Sequence, residues 1–333
     1  MVPLFTSEHV RNAVPPERAV DAVRDAFVAY ARGEWTMPPK VYVTAYPAGD
    51  FRAMPALGSG HALLKWVTSF PGNPAKGLPT VMGVVLVSSA EDGRLLAVLD
   101  AAAVTAIRTG AAAVLATETL GRPDAKTAAV IGAGVNGEAT ARTFAARGRA
   151  PLVWDLDASR AAAVAERVGG RAASRDEALA AELLVTVTPG REVLIPAGSL
   201  KAGQHVSLMG ADGPGKAEIA VEELARAHVF CDDWDKAGTE GILATGAARV
   251  RLFCDDWEQA SHGGELAAAL TAGKISRNDV AQIGDVLIGT ANGRQSPSDI
   301  TLFDSTGLAL QDLAVALVAL ERAEELDLPH LPL

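Results

Sequence analysis

The stretch AKTAAVIGAGVNGEATARTFAARG runs an apolar strand straight into Gly132-Ala133-Gly134-Val135-Asn136-Gly137 and on into a helix with Val135, Ala139 and Phe144 on its apolar side. Few short patterns restrict a fold so strongly, because each glycine has its own physical reason. Gly132 makes the tight turn, Gly134 lets backbone approach a pyrophosphate, and Gly137 lets helix and strand pack closely. Free N–H groups and the dipole at the helix start favour negative charge, so phosphates would sit there. Such a pattern alone also occurs in ordinary turns, and its context decides. PLVWD reads as the next strand and ends in Asp155, 21 residues after the middle glycine. A carboxylate at that spacing accepts ribose hydroxyls; the alternative is a plain surface acid at a strand end. Asp157 then reads as the cap of the helix DASRAAAVAERVGG. The strands LLVTVTP, which carries Thr188, and HVSLMG end in polar or glycine residues, where an open α/β sheet meets its ligand. This half is read as a Rossmann dinucleotide-binding domain. NAD is the expected cofactor, since an unshielded Asp155 would repel a 2′-phosphate; Arg160 lies close enough to leave NADP open.

The first hundred residues are built differently. After Pro15-Pro16, Val20, Val23, Phe27 and Tyr30 recur at helical spacing, and Gly33 follows as a stop. From about Lys40 to Leu99, runs such as VYVTAY, HALLKWVTSF and TVMGVVLVSS alternate with Gly, Pro and Asn turns and predict a curved antiparallel sheet. Ala101–Leu120 is alanine-rich and helical. The fold class is therefore α/β: a Rossmann domain beside a smaller α+β domain with a mostly antiparallel sheet.

Composition narrows the partners. A chain of 333 residues that is 49% apolar can fill large cores. Two cysteines are too few for a disulfide framework and suit a reducing compartment. MVPLFTSEHVRNAV has no basic stretch followed by an apolar core, and no charge-free run reaches the roughly 18 residues that span a bilayer. A cytoplasmic protein without membrane contact is expected. Thirty basic against forty acidic residues give a net charge of −10, with no Lys/Arg block interleaved with aromatics, so no nucleic-acid partner is expected. Small molecules and protein partners remain.

A 2-oxo or 2-amino acid needs cations for its carboxylate, a proton donor at the reacting carbon and a hydride donor on one face. Lys40, Arg52, Lys65 and Arg108 supply cations. Lys65, inside the apolar run HALLKWV, either faces solvent on an edge or points into a site. Arg108 lies in the helical run AAAVTAIRTG, where a surface ion pair is the plain alternative.

MPPK, DFRAMPA, LLKWV, FPGNPAKGLPTVMG, LDAAAVTAIRTGAA, GADGPGKAEI and GRQSPSDITLFDSTGLALQDLAVA occur in order across nearly the whole chain. Together they resemble the ornithine cyclodeaminase/μ-crystallin family, and MPPK, DFRAMPA and FDSTGLALQD look most like its archaeal-type alanine dehydrogenases. The resemblance implies that Lys65 contacts substrate and acts in acid/base chemistry. It also implies that Arg108 bridges substrate carboxylate and cofactor, and that Asp212 takes a proton or orients water during imine hydrolysis; the plain alternative for Asp212 is a turn-stabilising residue. By the same resemblance Lys216 contacts cofactor, Thr80 and Ser305 contact the nicotinamide side, and Met54 is a pocket wall. Cyclodeaminases of the family tend to carry glutamate near position 52 and arginine near position 40; Arg52 and Lys40 suit a short substrate such as alanine or pyruvate instead. The implied reaction is NAD-dependent, reversible oxidative deamination of alanine. Ornithine cyclodeamination, cyclic ketimine reduction and non-catalytic μ-crystallin-like binding of cofactor and ligand stand as alternatives. The helical tail LALQDLAVALVALERAEELD, read as amphipathic, returns by resemblance to the first domain. That gives a substrate-binding and dimerisation domain of residues 1–118 plus 305–333, an NAD-binding domain of 119–304, and a homodimer.

FCDDW occurs twice, at Phe230–Trp234 and Phe253–Trp257, and holds both cysteines. Aligning Ala225–Gly241 with Ala248–Gly264 at an offset of 23 gives nine identities. Adjacent Cys-Asp-Asp residues in a strand alternate faces and no histidine pair accompanies them, so no metal site is expected. A local duplication around 225–264 accounts for the pattern better, with one copy forming a strand of the Rossmann sheet and the other looped out or added at an edge.

Overall fold

Alternation of apolar and polar residues in the first hundred positions builds one sheet. Its strands are β1 (Val2–Phe5), β2 (Val41–Ala45), β3 (Gly49–Gly58), β4 (His61–Ser69), β5 (Val81–Ser89) and β6 (Leu95–Asp100), and residues His330–Leu331 add a strand beside β1. From one edge the order is His330–Leu331, β1, β6, β5, β4, β3, β2, antiparallel throughout except for β1 beside β6. Side chains alternate across this sheet with period two. Leu63, Lys65 and Val67 of β4 are buried on one face with Met54 and Ala56 of β3 and Val85 and Val87 of β5. Helix Ala309–Glu321 packs on β3, β4 and β5, and helix Pro16–Ala31 packs on that helix in turn. The tail helix is thus an interior element. Nearly every residue from Ala309 to Ala319 is buried, which corrects the reading of it as amphipathic. It also ends at Glu321, and a short 3₁₀ turn, Ala323–Glu325, follows.

This sheet and its helices form one compact unit, Met1–Ala112 with Leu308–Leu333. The other, Ala113–Gly307, holds a wholly parallel sheet. Its strands are β7 (Ala128–Ile131), β8 (Leu152–Trp154), β9 (Arg171–Ala172), β10 (Leu183–Thr186), β11 (His205–Leu208), β12 (Val250–Cys254), β13 (Val280–Gln282) and β14 (Ile300–Asp304). They lie in the order β13-β12-β14-β11-β10-β7-β8-β9. The chain builds outward from β7 to β8 and β9, then restarts on its other side with β10. That reversal is the switch point at which open α/β sheets bind ligands. β7, β10, β11 and β14 are buried along their whole lengths, as parallel strands covered on both faces are. The computed structural model describes residues 1–189, 192–210, 216–226 and 250–333. No helix among them is long and apolar enough to cross a membrane.

Of the two FCDDW copies, Phe230–Trp234 lies outside the described residues. The second forms the end of β12, between β13 and β14. Its residues close the parallel unit. Asp255 Oδ2 accepts from Ser305 Oγ at 3.0 Å, Thr306 N at 2.8 Å and Gly307 N at 3.0 Å, so one buried carboxylate fixes the loop after β14. Asp256 caps helix Trp257–Gly263 by accepting from Gln259 N at 3.1 Å. Cys254 is buried, and burial pushes its thiol well above the usual range. Among the described residues no three His, Cys, Asp or Glu side chains are placed to hold a metal ion.

The two aspartates should therefore differ sharply in urea unfolding. Asp255→Ala leaves three loop donors without their acceptor and should cost about 3 kcal/mol, whereas Asp256→Ala removes a helix cap worth about 1 kcal/mol. Equal losses would refute the loop-fixing role of Asp255.

Candidate active site

In the first unit, two of the four cations singled out from sequence, Lys65 and Arg108, converge on a residue that was not, Asp312. Lys65 Nζ lies 2.8 Å from Asp312 Oδ1, with side-chain exposures of 2% and 0%. Arg108, on helix Ala101–Leu120, brings Nε to 3.5 Å from the same oxygen, and its Nη1 donates to Gln311 Oε1 at 3.3 Å. On β3, Met54 is directly across from Lys65 in the antiparallel register, and Arg52 is opposite Val67, on the same face and one step along. Arg52 is held in turn: Asp50 accepts from its Nε at 2.7 Å and from its Nη2 at 3.3 Å, and the Tyr42 ring centroid is 5.4 Å from its guanidinium carbon. Burial lowers the Lys65 ammonium from its ordinary range to about 8; Asp312 opposes that shift, while Arg108 and Arg52 add to it. A lysine near 8 changes protonation close to neutral pH and can both accept and return a proton. Arg108 Nε, Gln311 Nε2 and Asp312 Oδ2 are buried and make no hydrogen bond among the described residues. Of these, Arg108 Nε and Gln311 Nε2 are donors, and unused donors beside a cation fit a carboxylate ligand, whereas Asp312 Oδ2 is an acceptor.

In the second unit, β7 passes into Gly132 at φ +105°, whose N–H donates to Trp154 O at 2.8 Å. Gly134 then caps helix Val135–Ala146 with no side-chain hydrogen bond. The two later glycines are needed for opposite reasons. A Cβ on Gly137 would stand 1.7 Å from Gly132 O, so helix and turn touch there; a Cβ on Gly134 would meet nothing within 4 Å, so backbone is open to a ligand. Val135 is exposed and Asn136 half-buried. Asp155 stands beside the loop: its Oδ2 accepts from Ala133 N at 2.6 Å and its Oδ1 from Asp157 N at 2.9 Å. Each oxygen retains a lone pair for a hydroxyl. Asp157 caps helix Ala158–Val168 and pairs with Arg160 at 3.7 Å. The turn, the open helix start and the flanking carboxylate all fit a dinucleotide.

Sequence reasoning missed a second group of acids, at the carboxyl ends of the parallel strands. Glu218 is fully buried; it accepts from Thr186 Oγ1 at 2.7 Å, Thr188 N at 2.8 Å, Thr188 Oγ1 at 2.6 Å and Gly210 N at 2.9 Å. It binds the ends of β10 and β11 to one point. Asp304 and Glu265 are also buried, and burial, with like-charged neighbours, raises them to about 8 and about 9. Thr188 and Ser305 stand at this end of the sheet, with their hydroxyls donating to Glu218 and Asp255. Lys40 and Thr80 directly precede β2 and β5 and are half-buried, as is Lys216, two residues before Glu218. Asp212 lies outside the described residues. A signal for Asp312 was present: with Gln311 it makes the one polar pair within the otherwise apolar LALQDLAVALVAL.

Comparison with known proteins agrees with this geometry. Residues 4–327 match the ornithine cyclodeaminase/mu-crystallin family. The chain is 41% identical over 328 residues to the alanine dehydrogenase of Archaeoglobus fulgidus, covering 96% of this chain and 94% of that one. An archaeal alanine dehydrogenase dimer solved with bound NAD superposes with a TM-score of 0.84 at 39% identity, over 97% of this chain and 96% of that one. The Δ1-pyrroline-2-carboxylate reductase of Thermococcus litoralis, solved with NADH and L-proline, gives 0.84 at 25% identity, over 97% and 98%.

The loop glycines separate folding from ligand binding. Gly137→Ala should lower both thermal stability and NADH affinity, because its methyl meets the Gly132 carbonyl. Gly134→Ala should melt like the parent yet bind NADH at least about tenfold more weakly, the loss expected when a methyl displaces a backbone–phosphate contact. Fluorescence titration and a melting curve on each variant check this.

Proposed function

The chain belongs to the ornithine cyclodeaminase/mu-crystallin family, and on that footing we propose that it is an NAD-dependent dehydrogenase interconverting alanine with pyruvate and ammonium. The observation that carries the substrate side is that buried Lys65 shares a sheet face with Arg52 and Met54 and shares the Asp312 carboxylate with Arg108. Three cations receive a carboxylate, and an apolar wall suits a methyl group. Arg52, fixed by Asp50, would repel the distal ammonium of ornithine. On this reading residues 1–112 with 308–333 form the substrate-binding unit, with Lys40 as a further carboxylate contact, and residues 113–307 bind the cofactor.

NAD fits the second unit through Gly132, Gly134, Val135, Asn136 and Gly137 at its pyrophosphate and Asp155 at its ribose, with Thr188, Lys216 and Ser305 as further contacts. When bound, it takes the hydride leaving the substrate Cα. The chain's own residues do the rest. Arg52 and Arg108 hold the carboxylate and orient Cα. Neutral Lys65 takes a proton from the substrate ammonium, so that the nitrogen lone pair forms the C=N bond as hydride leaves. Asp212 and Lys65 then move protons as water adds to the imine and ammonia departs. Reductive amination retraces these steps, with Lys65 returning the proton.

A homodimer is the expected assembly. The face of the first sheet opposite Lys65 presents Val41, Val43, Leu64, Trp66, Met82 and Val84, each at least 38% exposed. On neighbouring strands these make one apolar patch, of the kind that protein interfaces cover.

Three measurements test the reading. NADH consumption with pyruvate should require ammonium; ammonium-independent turnover of a cyclic imine carboxylate would replace it with imine reduction. For alanine oxidation, kcat/KM should rise as pH approaches about 8 and level off above it, because Lys65 with that value is protonated and unable to accept a proton at lower pH. Light scattering should give twice the chain mass, and the pair Trp66→Lys with Val84→Lys should give a monomer.

A further inference from the structure

Outside the residues assigned above, the least explained feature of the first unit is the Gln311–Asp312 pair at the start of helix Ala309–Glu321. We propose that Asp312 is the positioning residue of the site: paired with Gln311, it holds the Lys65 amine and the Arg108 guanidinium in one fixed arrangement. This rests on the dehydrogenase reading for its chemical purpose, while its structural content can be tested separately.

The geometry favours a template over an incidental ion pair. Lys65 is a point charge on a flexible four-carbon stem, and its own strand fixes only where that stem begins. Asp312 Oδ1 fixes where it ends, at 2.8 Å. Arg108 meets the same oxygen at 3.5 Å and the neighbouring Gln311 Oε1 at 3.3 Å. Gln311 is itself immobilised, because Oε1 also accepts from Leu308 N at 3.2 Å in the capping arrangement that begins the helix. Two consecutive side chains thus set the spacing of two cations that come from a strand and from another helix. Their carrier is rigid: the helix is buried on both sides, and a carboxylate in its first turn lies where the helix dipole favours negative charge.

Among the described residues, Asp312 is the group that favours the Lys65 ammonium. Burial, Arg108 and Arg52 each disfavour it, and Asp312 opposes all three. Asp50 is engaged with Arg52. Without the Asp312 charge, Lys65 should remain neutral to lower pH and lose its fixed place.

The test uses the full chain labelled with 13Cε-lysine, the Lys65 signal being assigned by its absence in Lys65→Arg. In the parent this signal should titrate near 8. In Asp312→Asn, which keeps the shape and removes the charge, it should move at least one pH unit lower. The pH limb of kcat/KM should move with it, and kcat should fall about 100-fold, the size of a misplaced acid/base group, while NADH affinity holds. Asp312→Glu, which keeps the charge on a longer stem, should restore the titration without restoring kcat, and it serves also if the asparagine variant does not fold. A Lys65 signal unmoved in Asp312→Asn, or a glutamate variant with parental kcat, overturns the proposal. A parent chain inert toward alanine and pyruvate overturns the dehydrogenase reading alone, and the titration still decides the place of Asp312.

Discussion

A lysine ammonium with 2% of its side chain exposed, against a carboxylate with none, is a costly pair to assemble. Removing two charges from water takes back most of their attraction, and removing one partner strands the other, at about 3–5 kcal/mol. Keeping Lys65 and Asp312 together therefore constrains everything around them. β4 must lie between β3 and β5 so that Lys65 faces inward, and the tail helix must start at Ala309 to bring its first turn over that face. Arg108 shares the Asp312 carboxylate, and Arg52 is held apart by its own partner, Asp50. The same burial that makes the pair expensive brings the lysine to a value near 8, at which a proton can move in either direction.

Much of this was legible in the residues. The loop from Gly132 to Gly137, Asp157 as a helix cap and the helix Ala101–Leu120 are local features, written in consecutive residues, and all three stand in the structure. The inward direction of Lys65 was not local: an apolar run with one lysine fits an edge strand as well as a site, and only burial by a helix 247 positions away decides it. For the same reason the tail helix was misread. A helix flanked by a sheet on one side and another helix on the other needs no polar face, so its periodicity carries no usable signal.

The acids of the parallel unit show a different limit. Glu218 lies in KAEI and Asp255 in FCDDW, short stretches in which no local pattern marks the acid as buried. Their partners are backbone N–H groups and hydroxyls at strand ends, supplied by position rather than by residue type. Asp255 also changes the meaning of the repeated pentapeptide. Just past the strand, one of its two carboxylates fixes a loop and the next caps a helix, so adjacent acids serve unrelated neighbours.

The first unit is assembled from two pieces of chain separated by residues 113–307. During synthesis, Lys65 leaves the ribosome long before the aspartate that neutralises it exists. The strands that carry it can pair early, but their inner face stays without its covering helix until the last tenth of the chain emerges. The intervening parallel unit, continuous in sequence, is free to complete itself first. Chemistry therefore arrives last: a truncated or stalled chain would present a finished nucleotide fold together with an open, lysine-bearing sheet, visible to chaperones and proteases as incomplete.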